Sequence, residues 1–282
     1  MPPSSASADK SSDRLQLPLL TPTAQRMLSA ADEAVRQNVA FLELVAVKDP
    51  VAVSKLLALA NSAFVTRPRP TQRVREAIVV LGTDVSFDVL LQSALLASLL
   101  SQSSSLDPVL TSFLRKYMLS MTMTMRQLRK SVSLTFKPSS ETVATFSALG
   151  IVASLTLSPV EQEPLEELAV CASKGEFRLH SRPALREWLD RTAEVLHHWR
   201  FDPDSAAQVA GMTKELYDVY DGTVDGETMS LEGALAMSAQ WLLSTDFSHM
   251  VSDKEWLALP CARRCGFDKT NIAPSSLRML VK

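Results

Sequence analysis

Arginine is concentrated in one short segment of the sequence, RPRPTQRVR, which contributes Arg67, Arg69, Arg73 and Arg75. A guanidinium group binds phosphates and carboxylates through paired N–H donors. Two prolines restrict the backbone of this segment, so its positive charge is presented on a defined loop. We therefore regard the four arginines as a candidate interaction loop for a phosphate, a nucleotide or an acidic partner protein. The alternative is a solvated loop rim whose arginines form ordinary surface ion pairs.

The histidines do not form a pattern that is typical of a metal or catalytic centre. The sequence has four of them, at His180, His197, His198 and His249. His197 and His198 are neighbours, and on a helix their side chains diverge by about 100°. They cannot share one ion in that arrangement, so we expect one packed and one solvated imidazole. The sequence also lacks a glycine-rich phosphate loop and a G-x-S-x-G nucleophile motif.

The cysteines are better explained as buried residues than as a redox or zinc site. Cys261 and Cys265 are spaced so that both thiols lie on one face of a helix, and two arginines lie between them. Nearby arginines can lower the pKa of a thiol, but a zinc site needs further ligands, and His249 is the only candidate close in sequence. With Cys171 the total is three, without the spacing of a disulfide framework. This usage favours a reducing cytosol.

The arginine loop lies inside a helix–loop–helix pattern that runs from Lys48 to Gly82. Asp49 is a candidate helix N-cap, and Pro50 follows in the first turn, where its missing N–H has no effect. Apolar residues at helical spacing come next, and Asn61 and Ser62 end that helix with side chains that can bond free backbone groups. Prolines separate this helix from a second apolar stripe, which ends at the glycine.

This pattern resembles the signature of the HDOD domain, an output module of bacterial signalling proteins. In KDP…LLALANSAF…PRP…REAIVVLG the similar residues are Asp49, Pro50, Leu57, Asn61, Ser62, Pro70, Ala77, Ile78, Leu81 and Gly82. The resemblance continues upstream in LPLLTPTAQRML and downstream in residues 185–203, where Trp199 stands at the family's usual tryptophan. It covers residues 15–215, and we interpret the signature residues as structural.

The resemblance implies a fold related to metal-dependent phosphohydrolases, but without their metal-binding residues. In that superfamily an adjacent His–Asp pair lies on a buried helix and helps to hold a divalent ion that activates water. This chain has no His-Asp dipeptide, and the segment TFSALGIVASLTL has Gly150 and Ile151 near that position. Neither side chain can bind a metal. We therefore expect no enzymatic activity, no bound metal and no cofactor.

Composition predicts an all-α protein. Of the 282 residues, 46% are hydrophobic, 6% are aromatic and eight are glycines, and β-hairpin patterns are nearly absent. The net charge of −2 provides no general attraction for nucleic acid or anionic lipid. Neither Ile78–Leu100 nor Thr142–Val160 is continuously apolar, so we interpret both as buried helices rather than membrane spans. The N-terminal sequence lacks the apolar core of a signal peptide, and we expect a cytoplasmic location.

The order of these patterns predicts a disordered tail followed by two helical lobes. Residues 1–14 are rich in serine and form the tail, and residues 15–107 are an N-terminal helical bundle that holds the signature. Residues 108–282 are a degenerate phosphohydrolase-like lobe with a C-terminal helical extension, packed on the first lobe. The polar linker SQSSSLDP marks the boundary. The predicted helices include 71–81, 253–265 and one that begins near Ser181.

These observations predict a non-enzymatic bacterial signal-transduction protein that acts through protein–protein interaction. As partners we expect other signalling proteins, without nucleic acid and without membrane insertion. One alternative is a sensor that binds a nucleotide or cyclic dinucleotide in the former active-site cleft, where Arg126, Arg129 and Lys130 are candidate cationic residues. A residual metal-dependent phosphohydrolase is the other alternative.

Overall fold

The structure, a computed structural model, describes residues 17–30, 33–61, 69–101, 106–132, 146–157, 161–201, 203–244 and 252–269. These residues form α-helices, short 3₁₀ turns and connecting loops, and none of them forms a β-strand. The predicted all-α fold class is therefore confirmed. The division into two lobes stays a prediction, and the predicted N-terminal tail lies outside the described residues.

The described α-helices are numbered in chain order. The first are α1 (Pro22–Ser29), α2 (Glu33–Arg36), α3 (Val39–Ala46), α4 (Pro50–Ala60), α5 (Val74–Leu81), α6 (Thr83–Leu100) and α7 (Pro108–Lys130). They are followed by α8 (Leu149–Leu157), α9 (Gln162–Lys174), α10 (Arg186–His198), α11 (Pro203–Tyr220), α12 (Leu231–Leu243), α13 (Asp253–Leu257) and α14 (Pro260–Arg264). Shorter 3₁₀ turns lie at Leu179–Ser181, Pro183–Leu185 and Phe267–Lys269.

Side-chain caps set where several helices begin. The Asp49 carboxylate accepts hydrogen bonds from the backbone N–H groups of Val51 and Ala52, at 2.9 and 3.2 Å, and Pro50 occupies the first position of α4. Asn38 caps α3 in the same way. Such bonds satisfy donors that the start of a helix leaves free. The predicted start of α4 is therefore confirmed.

Two predicted helices differ from the structure because the residue before a proline disfavours helical geometry. The helix predicted to begin near Ser181 begins at Arg186 instead, after two 3₁₀ turns, and Arg182 before Pro183 is extended. The helix predicted over 253–265 is interrupted in the same way, since Leu259 before Pro260 is extended and separates α13 from α14.

Helix α6 lies in the interior of the described fold. It packs against α1, α3, α4 and α5 and also against α7 and α8, and most of its 18 residues are buried. By length and composition alone α6 could cross a membrane, but 72% of it is buried inside the protein. This burial agrees with the interpretation of Ile78–Leu100 as a core segment.

Trp199 joins two segments that are distant in the sequence. Its Nε1–H donates a hydrogen bond of 2.9 Å to the carbonyl oxygen of Pro18, and the bond is buried. Trp199 directly follows α10, the helix that packs most extensively on α8. The tryptophan therefore fixes the first described residues of the chain to the end of α10, which agrees with a structural role.

Candidate interaction surface and degenerate metal site

The loop that carries the arginines is attached to the end of α4 by Asn61. Asn61 Nδ2 donates to the carbonyl oxygen of Thr71 at 2.8 Å, and the Thr71 N–H donates to Asn61 Oδ1 at 2.6 Å. Both the N–H and the carbonyl oxygen of Thr71 are thus hydrogen-bonded to the Asn61 side chain. Helix α5 begins at Val74, after Arg73 in extended conformation, so the prediction of a helix from residue 71 is wrong at its start.

The described arginines of the candidate loop lie on the protein surface. Arg69, Arg73 and Arg75 are all exposed, and Arg75 forms an ion pair with Glu43 of α3 at 3.1 Å. No ion pair within the described ranges involves Arg69 or Arg73. The binding role of this loop stays a prediction. Outside the described residues lie Ser62 and Arg67.

Aliphatic side chains are also exposed on the three helices α3, α4 and α5. Leu44 of α3 is 55% exposed, Val47 directly after α3 is 57% exposed, Val51 of α4 is 49% exposed and Val79 of α5 is 63% exposed. The three helices pack against one another, and the Arg75–Glu43 pair connects α5 to α3. We call these four residues the α3–α5 surface. The sequence analysis did not predict this surface. It could have been found from apolar residues that fall outside the core-facing stripe of each helix.

The other signature residues have structural positions. Ala77 and Ile78 of α5 are fully buried, and Leu57 and Leu81 are partly buried against the same core. Gly82 lies between α5 and α6 with φ at 85°, a backbone conformation that L side chains rarely adopt. Its N–H bonds to the carbonyl oxygen of Ile78 and ends α5, as the sequence predicts.

The position predicted for the lost His–Asp pair is a close contact between two helices. The Gly150 N–H of α8 donates to Oγ1 of Thr192 on α10 at 3.0 Å. A Cβ at residue 150 would overlap the carbonyl oxygen of Trp188 and the amide nitrogen of Thr192. Ile151 is fully buried and has no atom that can bind a metal. The backbone of α10 thus fills the space where a ligand side chain of residue 150 would begin.

Histidine and acidic side chains do not form a metal-binding group elsewhere in the described part of the chain. No group of three His, Cys, Asp or Glu residues there could hold a metal ion. His180 is buried with Nδ1 2.8 Å from Gln240 Nε2, and burial lowers the pKa of His180 to about 3. His197 and His198 are both exposed in the last turn of α10, so the expectation that one of them is packed is wrong. His249 lies outside the described residues.

The cysteines occupy the interior, as expected. Cys171, Cys261 and Cys265 are all buried and none forms a disulfide. Burial raises the pKa of Cys171 to about 11 and the pKa of Cys265 to about 12. The thiols are therefore held in the protonated form, in which they are poor nucleophiles and poor metal ligands.

The cationic residues proposed for a nucleotide cleft do not form a free positive site. Arg126 lies 2.5 Å from the Asp88 carboxylate of α6, and both side chains are nearly buried. Arg129 is partly buried, and Lys130 is exposed at the end of α7. A guanidinium that is already paired with a carboxylate has little charge left for a ligand. This arrangement does not favour the nucleotide-sensor alternative.

A cavity of about 500 Å³ lies between α11, the turn that follows it, and the start of α12. Its charged lining residues are Lys214, Glu215, Asp218 and Glu232. The Glu215 carboxylate accepts hydrogen bonds from the backbone N–H and the hydroxyl of Ser230, at 2.7 and 2.6 Å, and so fixes the start of α12. The acidic lining does not suit a phosphate group. Sequence reasoning missed this cavity because its walls come from separate segments.

Comparisons with known proteins agree with the resemblance seen in the sequence. A sequence model of the HDOD domain matches residues 17–214. No curated protein matches the chain.

Three solved structures are similar. The first is an HDOD domain protein of unknown function from Geobacter sulfurreducens, with a TM-score of 0.57 and 15% identity over 93% of this chain and 87% of that one. The second is provisionally assigned as a metal-dependent phosphohydrolase of Shewanella amazonensis. It has a TM-score of 0.49 and 14% identity over 95% of this chain and 93% of that one. The third is the MmoQ response regulator of Methylococcus capsulatus. It has a TM-score of 0.34 and 19% identity over 89% of this chain and 91% of that one. At these identities the first likeness is one of fold.

Proposed function

This chain belongs to the HDOD domain family, and we propose that it is a non-enzymatic bacterial regulatory protein that acts by binding another protein. The observation that carries the proposal is the α3–α5 surface, where Leu44, Val47, Val51 and Val79 remain exposed on helices that pack together. Burial of apolar surface favours association between proteins. Clustered exposed apolar side chains beside charged ones are typical of interaction sites.

The charges beside this surface indicate the chemistry of the partner. Arg69 and Arg73 are exposed in the segment before α5, and Arg75 of α5 forms an ion pair with Glu43 of α3. A partner with an apolar patch bordered by carboxylates would bury the aliphatic residues and pair with these guanidinium groups. We expect this partner to be another signalling protein, and we expect the two proteins to bind in the cytoplasm.

The residues at the degenerate metal site support the non-enzymatic part of the proposal. Gly150 and Ile151 offer no metal ligand, and Gly150 is closed off by the α10 backbone. Hydrolysis of a phosphate ester by this superfamily's mechanism needs ligands that hold a divalent ion beside the substrate. Release of phosphate from nucleotides that rises with added Mn²⁺ or Mg²⁺ would contradict this part.

Comparative affinity capture from cells of the native organism tests the proposal. The tagged protein is compared with a Leu44→Glu/Val79→Glu variant and with a Val109→Glu control. Val109 is 65% exposed on α7, close to the 63% of Val79, so the two sites have the same solvent exposure. All three changes are at exposed positions, where each should alter the free energy of unfolding by less than about 0.5 kcal/mol.

We expect the double variant to recover at least about tenfold less of a specific partner than the wild type and the control recover. Two carboxylates buried in the interface would oppose apolar contact. Helical content by circular dichroism confirms that each variant is folded. Equal recovery of every bound protein by the wild type and the double variant would overturn the proposal.

A further inference from the structure

The cavity between α11 and α12 combines a buried apolar floor with an exposed rim. Met212 of α11 and Met229 in the segment before α12 line the cavity, and both side chains are buried. Gly211, Lys214 and Thr228 also line it and are exposed. Its volume of about 500 Å³ is in the range of cavities that bind small molecules. The cavity is therefore open to solvent and large enough for a small organic ligand.

Hydrogen bonds hold the walls of this cavity in place. The Glu215 carboxylate accepts two bonds from Ser230, whose hydroxyl in turn accepts the Gly233 N–H and caps α12. A Cβ at Gly233 would overlap the Glu215 carboxylate, so the glycine leaves room for this acid at the cavity wall. In the turn after α11, the Asp218 carbonyl oxygen accepts the Val224 N–H at 3.1 Å. The shape of the cavity is thus fixed by the fold itself.

Carboxylates dominate the charge of the cavity. Glu215, Asp218 and Glu232 are partly buried in its lining, whereas Lys214 is the one amine among the described lining residues. The donors to Glu215 are a neutral amide and a neutral hydroxyl, which do not neutralise the charge of this acid. In the part of the chain that the structure describes, no ion pair includes Glu215, Asp218 or Lys214. A cavity with this lining attracts a positive ligand.

The arrangement of the acids favours an organic cation over a metal ion. A hard metal ion needs several oxygen ligands that converge on one point. Among the described residues, no group of three His, Cys, Asp or Glu side chains could hold such an ion. An uncharged ligand would not use the charge of the acids. An aliphatic ammonium compound suits both features of the cavity, because methylene groups pack on methionine and ammonium groups donate charge-assisted bonds to carboxylates.

We propose that the cavity between α11 and α12 binds a small aliphatic diamine. Its ammonium groups donate hydrogen bonds to the carboxylates of Glu215 and Asp218, which are three residues apart and so share one face of α11. Its methylene groups contact Met212 and Met229. The HDOD match ends at residue 214, and most of the lining residues follow that position. The site therefore goes beyond what family membership implies, and it does not depend on the α3–α5 surface.

Nuclear magnetic resonance of the full-length protein with carbon-13 in the methionine methyl groups tests the site without mutation. The probe is the linear diamine putrescine, added at pH 7 and constant ionic strength, and the linear diol of the same length is the uncharged control. We expect putrescine to shift the Met212 and Met229 signals saturably and to leave Met27, which is buried in α1, unchanged. Binding of the diol as tight as that of putrescine, or no saturable shift of the cavity methionines with putrescine, would overturn the proposal.

Variants then assign the recognition to the acids of the cavity. Asp218→Asn should weaken putrescine binding by at least about tenfold, since it removes a charged acceptor. Asp204→Asn is the matched control, because Asp204 is exposed on the same helix, loses the same charge and does not line the cavity. An equal loss in the control, or unchanged binding in Asp218→Asn, would contradict the site. If Asp218→Asn does not fold, the wild-type titration still decides.

Discussion

Gly150 determines how closely α8 can approach α10. Its N–H bonds to the Thr192 hydroxyl, and the Trp188 carbonyl oxygen lies where a Cβ would stand. The sequence indicates that metal ligands are missing here, because it has no His-Asp dipeptide. It does not indicate the close contact, since that depends on how α10 lies across α8.

Gly150→Ala should destabilise the protein strongly. The obstructing atoms belong to the α10 backbone, which cannot rotate away as a side chain would, so we expect a loss of about 3 kcal/mol in the free energy of unfolding. The matched control is Gly211→Ala in α11, where an added Cβ meets nothing within 4 Å. The control should be more stable than wild type by about 0.5–1 kcal/mol, because alanine favours a helix more than glycine does. Urea denaturation measures both, and a neutral Gly150→Ala would contradict the described packing.

Asn61 is the connection between α4 and α5. Its amide group both donates to and accepts from the backbone of Thr71, so the end of one helix fixes the approach to the next. Val51 and Val79 lie on these two helices, and their spacing depends on this connection.

Asn61→Ala should therefore loosen the approach to α5. Two partly buried hydrogen bonds are lost, which we expect to cost about 2 kcal/mol, and the Thr71 N–H should exchange with solvent faster than in wild type. Asn38→Ala is the control, since the Asn38 side chain also forms two hydrogen bonds with the backbone but caps α3 instead. It should cost about 1 kcal/mol and leave Thr71 exchange unchanged. Equal Thr71 exchange in wild type and Asn61→Ala would show that Asn61 does not fix this segment.

Local signals explain which elements the sequence predicts well. Asp49 and Pro50 begin α4 and Gly82 ends α5 as expected, because caps and glycine act through neighbouring backbone groups. The prediction of one helix over 253–265 is wrong at Leu259. It gave the apolar pattern more weight than the proline that follows, and the structure shows that the proline interrupts the helix. Residues that meet only through the fold, such as Asp88 and Arg126, could not be paired from the sequence.

At the scale of the whole molecule, burial and exposure are divided unevenly among the helices. Most of helix α6 is buried, and the helices that pack on it include α3, α4 and α5, which carry exposed aliphatic residues. A partner that binds the α3–α5 surface therefore contacts elements that are anchored directly to the core. We expect a surface anchored in this way to change little on binding, which would reduce the entropy lost on association.

Site-specific photo-crosslinking in living cells tests the central claim, that the α3–α5 surface binds another protein. A photoreactive amino acid is placed at Val79 in one strain and at Val109 in another, since these residues are 63% and 65% exposed and belong to different helices. We predict a discrete adduct of higher mass from residue 79 that is absent from residue 109 and disappears when Leu44→Glu is added. The same adducts from both positions, or none from residue 79, would contradict the account.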